Sequence, residues 1–199
     1  MARIGIFSGT FDPVHKGHIA FCLAAIAAAG LDRVVLLPEP EPRGKDHAAP
    51  LAHRLAMLRL AIQTEPSLDV VTLPGQRFSV AETLPELQRR FAGDELSLLV
   101  GSDVVRSFEH GWPGLPQLLG HMRLVIGLRG NDTQTDMEQA LAAVSRRFPA
   151  VPYIRSILVG SPQPLAASSA VRARGPRAAG VAPPVAAYIA THQLYATPA

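Results

Sequence analysis

The 199-residue chain has one cysteine and only two lysines, and both scarcities narrow what it can be. A single thiol, Cys22, builds no disulfide framework, and no Cys/His cluster has zinc-ligand spacing, so a reducing environment is expected and no metal-binding residue is assigned. Long hydrophobic runs are missing too. None approaches the roughly 18 residues of a membrane span, and the first residues turn polar too early for a secretory signal. A soluble, cytoplasmic protein without a membrane partner is therefore expected. Aromatic residues make up 6% and never interleave with a basic run, which argues against a nucleic-acid partner. The net charge is +3, and with Lys16 and Lys45 the only lysines, 17 of the 19 basic residues are arginine. Beside so much alanine, that preference is read as gene composition rather than as a binding device.

What is present is a core-forming composition. Hydrophobic residues reach 48% against 18% charged, too apolar for disorder and sufficient for one sizeable core. The 16 glycines and 18 prolines follow no short period, which excludes a collagen-like fibre. A globular enzyme or binding domain remains.

Hydrophobic patterning predicts strands over residues 3–8, 33–37, 68–73, 96–100, 124–128 and 153–159. Helices are expected over 15–29, 51–64, 80–91 and 135–148, with short ones between 101 and 119 and two more within 168–195. Residues 38–50 hold four prolines and read as one long loop. Strands that are continuous apolar runs, alternating with helices, predict a doubly wound α/β fold: a Rossmann-like parallel sheet covered on both faces, in a single domain 1–199 on which segment 168–195 packs.

In such sheets ligands lie beyond the carboxyl ends of the strands, and the richest loop there is Gly9-Thr10-Phe11-Asp12-Pro13-Val14-His15-Lys16-Gly17-His18. Gly9 and Thr10 let backbone N–H groups approach a phosphate, and Pro13 fixes the turn into a helix. His15 and His18, three apart with Gly17 between, share one face of the first helical turn, where their N–H groups can reach an anion at the positive end of the helix. Asp12 is expected to tie the loop together. In Ala167-Ser168-Ser169-Ala170-Val171-Arg172, hydroxyls at a helix start and an arginine one turn in make a second anion site. Asp103 either accepts from ribose hydroxyls or caps a helix. Trp112 either stacks on a ligand ring or is core, and Arg129 faces either a ligand or solvent. Cys22 reads as core, and His47, His53, His110, His121 and His192 as structural.

Residues 9–18 resemble the signature of the nucleotidyltransferase superfamily that carries a His-x-Gly-His motif. Pro38-Glu39-Pro40-Glu41-Pro42-Arg43-Gly44-Lys45 resembles the second-strand loop of the bacterial nicotinate mononucleotide adenylyltransferases, ending on their substrate-loop lysine, and His53-Arg54-Leu55-Ala56-Met57-Leu58 resembles the helix that follows. Arg77-Phe78-Ser79-Val80-Ala81-Glu82-Thr83-Leu84 is similar to that family's Ser-Tyr-Thr-Val-Asp-Thr-Leu segment, and Val100-Gly101-Ser102-Asp103 to its Gly-x-Asp motif. Residues 167–172 resemble its second signature, Ser-Ser-Thr-x-Ile-Arg. Trp112 falls where the family has a pyridine-site tryptophan, and residues 181–195 are similar to its closing helix.

The resemblance implies transfer of AMP from ATP to nicotinate mononucleotide, with Mg²⁺ carried by ATP. His15, His18, Lys45 and Arg172 would be catalytic. Gly9, Thr10, Phe11, Gly17, Gly101, Asp103, Ser168 and Ser169 would join them around ATP, and Ser8, Lys45, Thr83 and Trp112 would take the acceptor. A homo-oligomer is compatible with it. The sequence departs from the family at Phe78, Ala81, Glu82, Pro113 and Ala167, which keeps in view nicotinamide mononucleotide, phosphopantetheine or another phosphorylated acceptor, and a non-catalytic ATP sensor.

Overall fold

The computed structural model describes residues 1–42, 44, 47–151, 153–160, 168–174 and 180–195. Strands β1 (Arg3–Gly9), β2 (Arg33–Pro38), β3 (Leu68–Val70), β4 (Glu95–Gly101), β5 (Arg123–Gly127) and β6 (Ser156–Val159) form one sheet in the order β3-β2-β1-β4-β5-β6. Every neighbouring pair is parallel. The helices are α1 (Lys16–Ala29), α2 (Leu51–Ile62), α3 (Val80–Arg90), α4 (Ser102–Ser107), α5 (Leu115–His121), α6 (Gln134–Arg147), α7 (Ser168–Arg174) and α8 (Pro183–Thr191), with a 3₁₀ turn at Phe108–His110.

Successive strand residues point to opposite faces, and here both faces are covered. Val34, Leu36, Leu99 and Val125 pack with Cys22 and Ala25 of α1, Met57 and Leu58 of α2, and Val185 and Ile189 of α8. Their neighbours Val35, Leu37, Leu98, Val100, Leu124 and Ile126 pack on the other side with Leu87 of α3, Leu115 and Leu118 of α5, and Met137 and Val144 of α6. This two-sided burial is why the strands read as unbroken apolar runs.

The expected edge strands are shorter than the patterning predicts. β3 stops at Val70 rather than 73, and β6 starts at Ser156 rather than 153. Each has one neighbour to pair with, so its ends lack half the ladder that holds β1 and β4. Helix α1 begins at Lys16, with His15 as the extended residue before it, and ends where Gly30 adopts φ 61° and donates its N–H to the Ile26 carbonyl. No helix among the described residues is long and apolar enough to cross a membrane.

The chain winds outward through β2 and β3 and then returns to place β4 against the other side of β1. The crossovers leaving β1 and β4 therefore diverge, opening a crevice at their carboxyl ends.

Candidate active site

A cavity of about 510 Å³ occupies that crevice, within the range of small-molecule sites. One end is built on the loop after β1. His15 and His18 stack with ring centroids 3.6 Å apart and planes 19° from parallel. The His15 amide donates to His18 Nδ1 at 3.2 Å, so the neutral His18 ring carries its proton on Nε2. The backbone thereby selects the tautomer. Phe11 supports this arrangement: its buried ring meets His18 edge-on at 5.1 Å and Phe7 edge-on at 5.3 Å, and its φ of 50° turns the chain from strand toward helix.

His15 is 7% exposed, and its Nδ1 is buried without a hydrogen-bond partner among the described residues. Burial, reinforced by the charge of Arg129, lowers its pKa to about 4. The ring is therefore neutral at pH 7 and acts as a hydrogen-bond group rather than a cation. No acidic residue occupies the first turn of α1, so the positive end of that helix is not offset.

Helix α7 closes this end. Ser168, Ser169 and Arg172 line the cavity. The sequence assigns Ser168 a capping hydroxyl; in the structure that hydroxyl donates to the Pro13 carbonyl at 3.0 Å and pins α7 to the first loop. Arg172 Nη1 donates to the Asp12 carbonyl at 2.5 Å. Across the crevice, Asp103 and Arg129 pair at 3.4 Å. Gly101 sits under them, and a Cβ there would meet Arg129 Nε at 2.8 Å as well as the Asp103 carboxylate, so a side chain would have to displace this pair. Ser102 Oγ accepts the Arg129 amide at 3.1 Å.

The opposite end is lined by Ser8, Glu39, Pro42, Phe78 and Trp112. Phe78 and Trp112 lie 10° from parallel with centroids 6.0 Å apart, and Trp112 leans on Phe108. Ser8 Oγ donates to Glu39 Oε1 at 3.2 Å.

Two of the expected contacts are not brought to the cavity. Thr83 is buried in α3, where its hydroxyl accepts the Ser79 amide at 3.1 Å while Ser79 Oγ accepts the Glu82 amide; it borders only a small neighbouring recess with Ser8 and Phe78. Gly17 lies between the histidines in the first turn and is not part of the cavity wall. Gly9 and Thr10 do line it. Lys45, Arg43 and Ala167 lie outside the described residues.

The residue that sequence reasoning passed over is Arg54. It is 1% exposed in α2, and its guanidinium donates to four carbonyls: Thr10 after β1 (2.9 Å), Glu39 (2.7 Å) and Pro40 (2.8 Å) after β2, and Ala49 before α2 (2.8 Å). One buried fork thus fixes both ligand loops. Burial lowers its pKa, while Asp12, Tyr195 and Glu39 favour the charge. Its signal in the sequence was an arginine on the apolar face of a helix, flanked by Met57 and Leu58.

Helix dipole, stacked imidazoles and an arginine at one end, with parallel aromatic rings at the other, can hold a polyphosphate and a flat heterocycle in one crevice. The fold and the site thus define a nucleotide-binding protein of the doubly wound α/β class. The cytidylyltransferase-like family model matches residues 6–174, and the chain belongs to that family. The "Probable nicotinate-nucleotide adenylyltransferase" of Bordetella petrii is 36% identical, covering 98% of this chain and all of the relative. One of the same description from Roseiflexus sp. is 34% identical over 98% of both. The solved structure of Plasmodium falciparum nicotinic acid mononucleotide adenylyltransferase complexed with NaAD has the same fold, with a TM-score of 0.74 at 15% identity over 98% of both chains.

Proposed function

We propose that the chain transfers AMP from ATP to nicotinate mononucleotide, forming nicotinate adenine dinucleotide and releasing pyrophosphate. The observation that carries this reading is the stacked His15–His18 pair at the start of α1, which lines with Arg172 a crevice that also holds two parallel aromatic rings. The full-length likeness to relatives bearing that enzyme name supports it.

The mononucleotide phosphate is already ionised, so one of its oxygens attacks the α-phosphorus of Mg-ATP without a general base. The Pα–O bond to the β-phosphate breaks as the new one forms. What remains for the protein is alignment and stabilisation of developing charge. His18 Nε2–H donates to an α-phosphate oxygen, and neutral His15 hydrogen-bonds beside it. Ser169 and Arg172 hold the departing pyrophosphate on the helix that Ser168 pins to the first loop, with Gly9, Thr10 and Gly101 allowing close approach of backbone to nucleotide. Asp103 accepts from ribose hydroxyls, Trp112 and Phe78 take the pyridine ring, and Lys45 reaches the phosphates from its loop. Mg²⁺ enters as part of the nucleotide substrate, on ATP oxygens and water.

One observation favours a second acceptor. The carboxylate of Glu39, beside Ser8 at the acceptor end, opposes a nicotinate carboxylate and accepts from a carboxamide, which suits nicotinamide mononucleotide. The test is pyrophosphate release from Mg-ATP with nicotinate mononucleotide, nicotinamide mononucleotide and phosphopantetheine offered in parallel. Fastest turnover with nicotinate mononucleotide supports the proposal, and fastest turnover with another acceptor keeps the chemistry and replaces the substrate. ATP binding with no pyrophosphate release from any of them would make the chain a sensor.

A further inference from the structure

Tyr195 follows α8 in a left-handed backbone conformation (φ 62°), 183 residues from the loop after β1, yet its hydroxyl reaches that loop. It donates to Asp12 Oδ1 at 2.6 Å. The same oxygen accepts the Ala49 amide at 3.2 Å. Asp12 Oδ2 stands 3.8 Å from Arg172 Nη1, whose short hydrogen bond goes instead to the Asp12 carbonyl. Asp12 is 3% exposed, so these groups stand in for the water its carboxylate lacks.

A buried carboxylate beside an arginine ordinarily closes into a bidentate pair, because both charges gain from it. Here Oδ1 is engaged by Tyr195 and Ala49, which fixes the carboxylate plane and leaves Arg172 loosely paired. Burial and the Asp12 carboxylate raise the Tyr195 pKa well above its usual range, so the hydroxyl remains a donor. Removing it frees Oδ1 to turn toward Arg172 and draw the guanidinium off the cavity wall.

We propose that Tyr195 is a positioning residue for nucleotide phosphate: it holds Asp12 so that Arg172 stays directed into the crevice. The inference rests on the reading that Arg172 contacts ATP. It ties the end of the chain to the first strand loop through one carboxylate, and it gives Asp12 the role of setting how much of an arginine's charge the ligand receives.

The experiment is titration of the full chain with Mg-ATP, without acceptor, for wild type, Tyr195→Phe, Arg172→Ala and the double variant, each with its Tm. Tyr195→Phe is expected to raise the Kd for ATP roughly threefold to tenfold, the scale of one ordinary hydrogen bond, and to lower Tm by no more than a few degrees, because Ala49 and Arg172 still face the Asp12 carboxylate. Arg172→Ala raises it further, and adding Tyr195→Phe then changes nothing, because the residue through which it acts is gone. A Tyr195→Phe effect that persists undiminished in the Arg172→Ala background, or no effect while Arg172→Ala weakens binding, overturns the proposal. Unchanged affinity in Arg172→Ala overturns the reading of Arg172 and this inference with it. Because no acceptor is present, none of these outcomes depends on which mononucleotide the enzyme uses.

Discussion

At one end of the cleft, Phe11, His15 and His18 come from eight consecutive residues, bent by a single turn onto the start of one helix. At the other, Ser8, Glu39, Phe78 and Trp112 come from four segments spread over more than a hundred residues. The first end is positioned by covalent neighbourhood and helix geometry, the second by tertiary packing. Under the proposed function, the difference makes reaction chemistry and acceptor choice separable. Substitutions around Phe78 and Trp112 can retune the ring slot while the stacked histidines keep their geometry.

Arg54 is where the separation should fail, because its guanidinium binds Thr10 on the phosphate side and Glu39 and Pro40 on the acceptor side. Arg54→Met leaves four carbonyls without their donor and is expected to cost at least about 3 kcal/mol, with the affinities for both substrates falling together. Denaturant unfolding and the two KM values measure this, and a stability within about 1 kcal/mol of wild type would remove Arg54 as the fastener of both loops.

His18→Ala sharpens the comparison. It should lower kcat on the order of 10²–10³-fold, the loss of one donor to transition-state charge, with the acceptor KM unchanged and the fold intact. An unaltered kcat in the folded variant would falsify the role given to His18.

The buried His15 predicts an acid-side weakness confined to the phosphate end. Its folded pKa, about 4, lies below the unfolded value of 6.5, so between these the unfolded chain binds the extra proton and stability falls as pH drops. The loss accumulates from about pH 6.5 to about pH 4 and reaches on the order of 3 kcal/mol. Unfolding free energies across that range, wild type against His15→Asn, should show the slope flattened in the variant, and equal slopes would assign the acid sensitivity elsewhere. The smallest effect belongs to the slot: Trp112→Leu should raise the acceptor KM roughly threefold to tenfold, with that for ATP unmoved. A matching rise for ATP would mean the two ends are not separate.

The same contrast governs what could be read from the sequence. Arg3–Gly9, the loop and α1 are local, so their apolar run, turn residues and paired histidines announce both strand and anion site. The parallel, two-sided sheet is legible in the unbroken apolar strands, whereas the order β3-β2-β1-β4-β5-β6 is not, because parallel winding allows more than one order. Arg54 was passed over because it recognises backbone carbonyls, which every residue has, and so leaves no partner signature in the chain. Thr83 is expected at the acceptor only through the likeness of residues 77–84 to a family segment, and that likeness does not show that its hydroxyl accepts the Ser79 amide. The shortfall at β3 and β6 has the same origin, since an edge strand's length depends on a neighbour that the apolar pattern does not name.

Cys22 carries a practical corollary. It is fully buried between α1 and the sheet, and desolvation raises its thiol pKa well beyond the ordinary range, so the native chain's only thiol is inert toward alkylating reagents. An adduct forms only while α1 is lifted from the sheet. Mass spectrometry then counts a single event per molecule, and the labelling rate is a clock for the opening of the helix that carries the histidines.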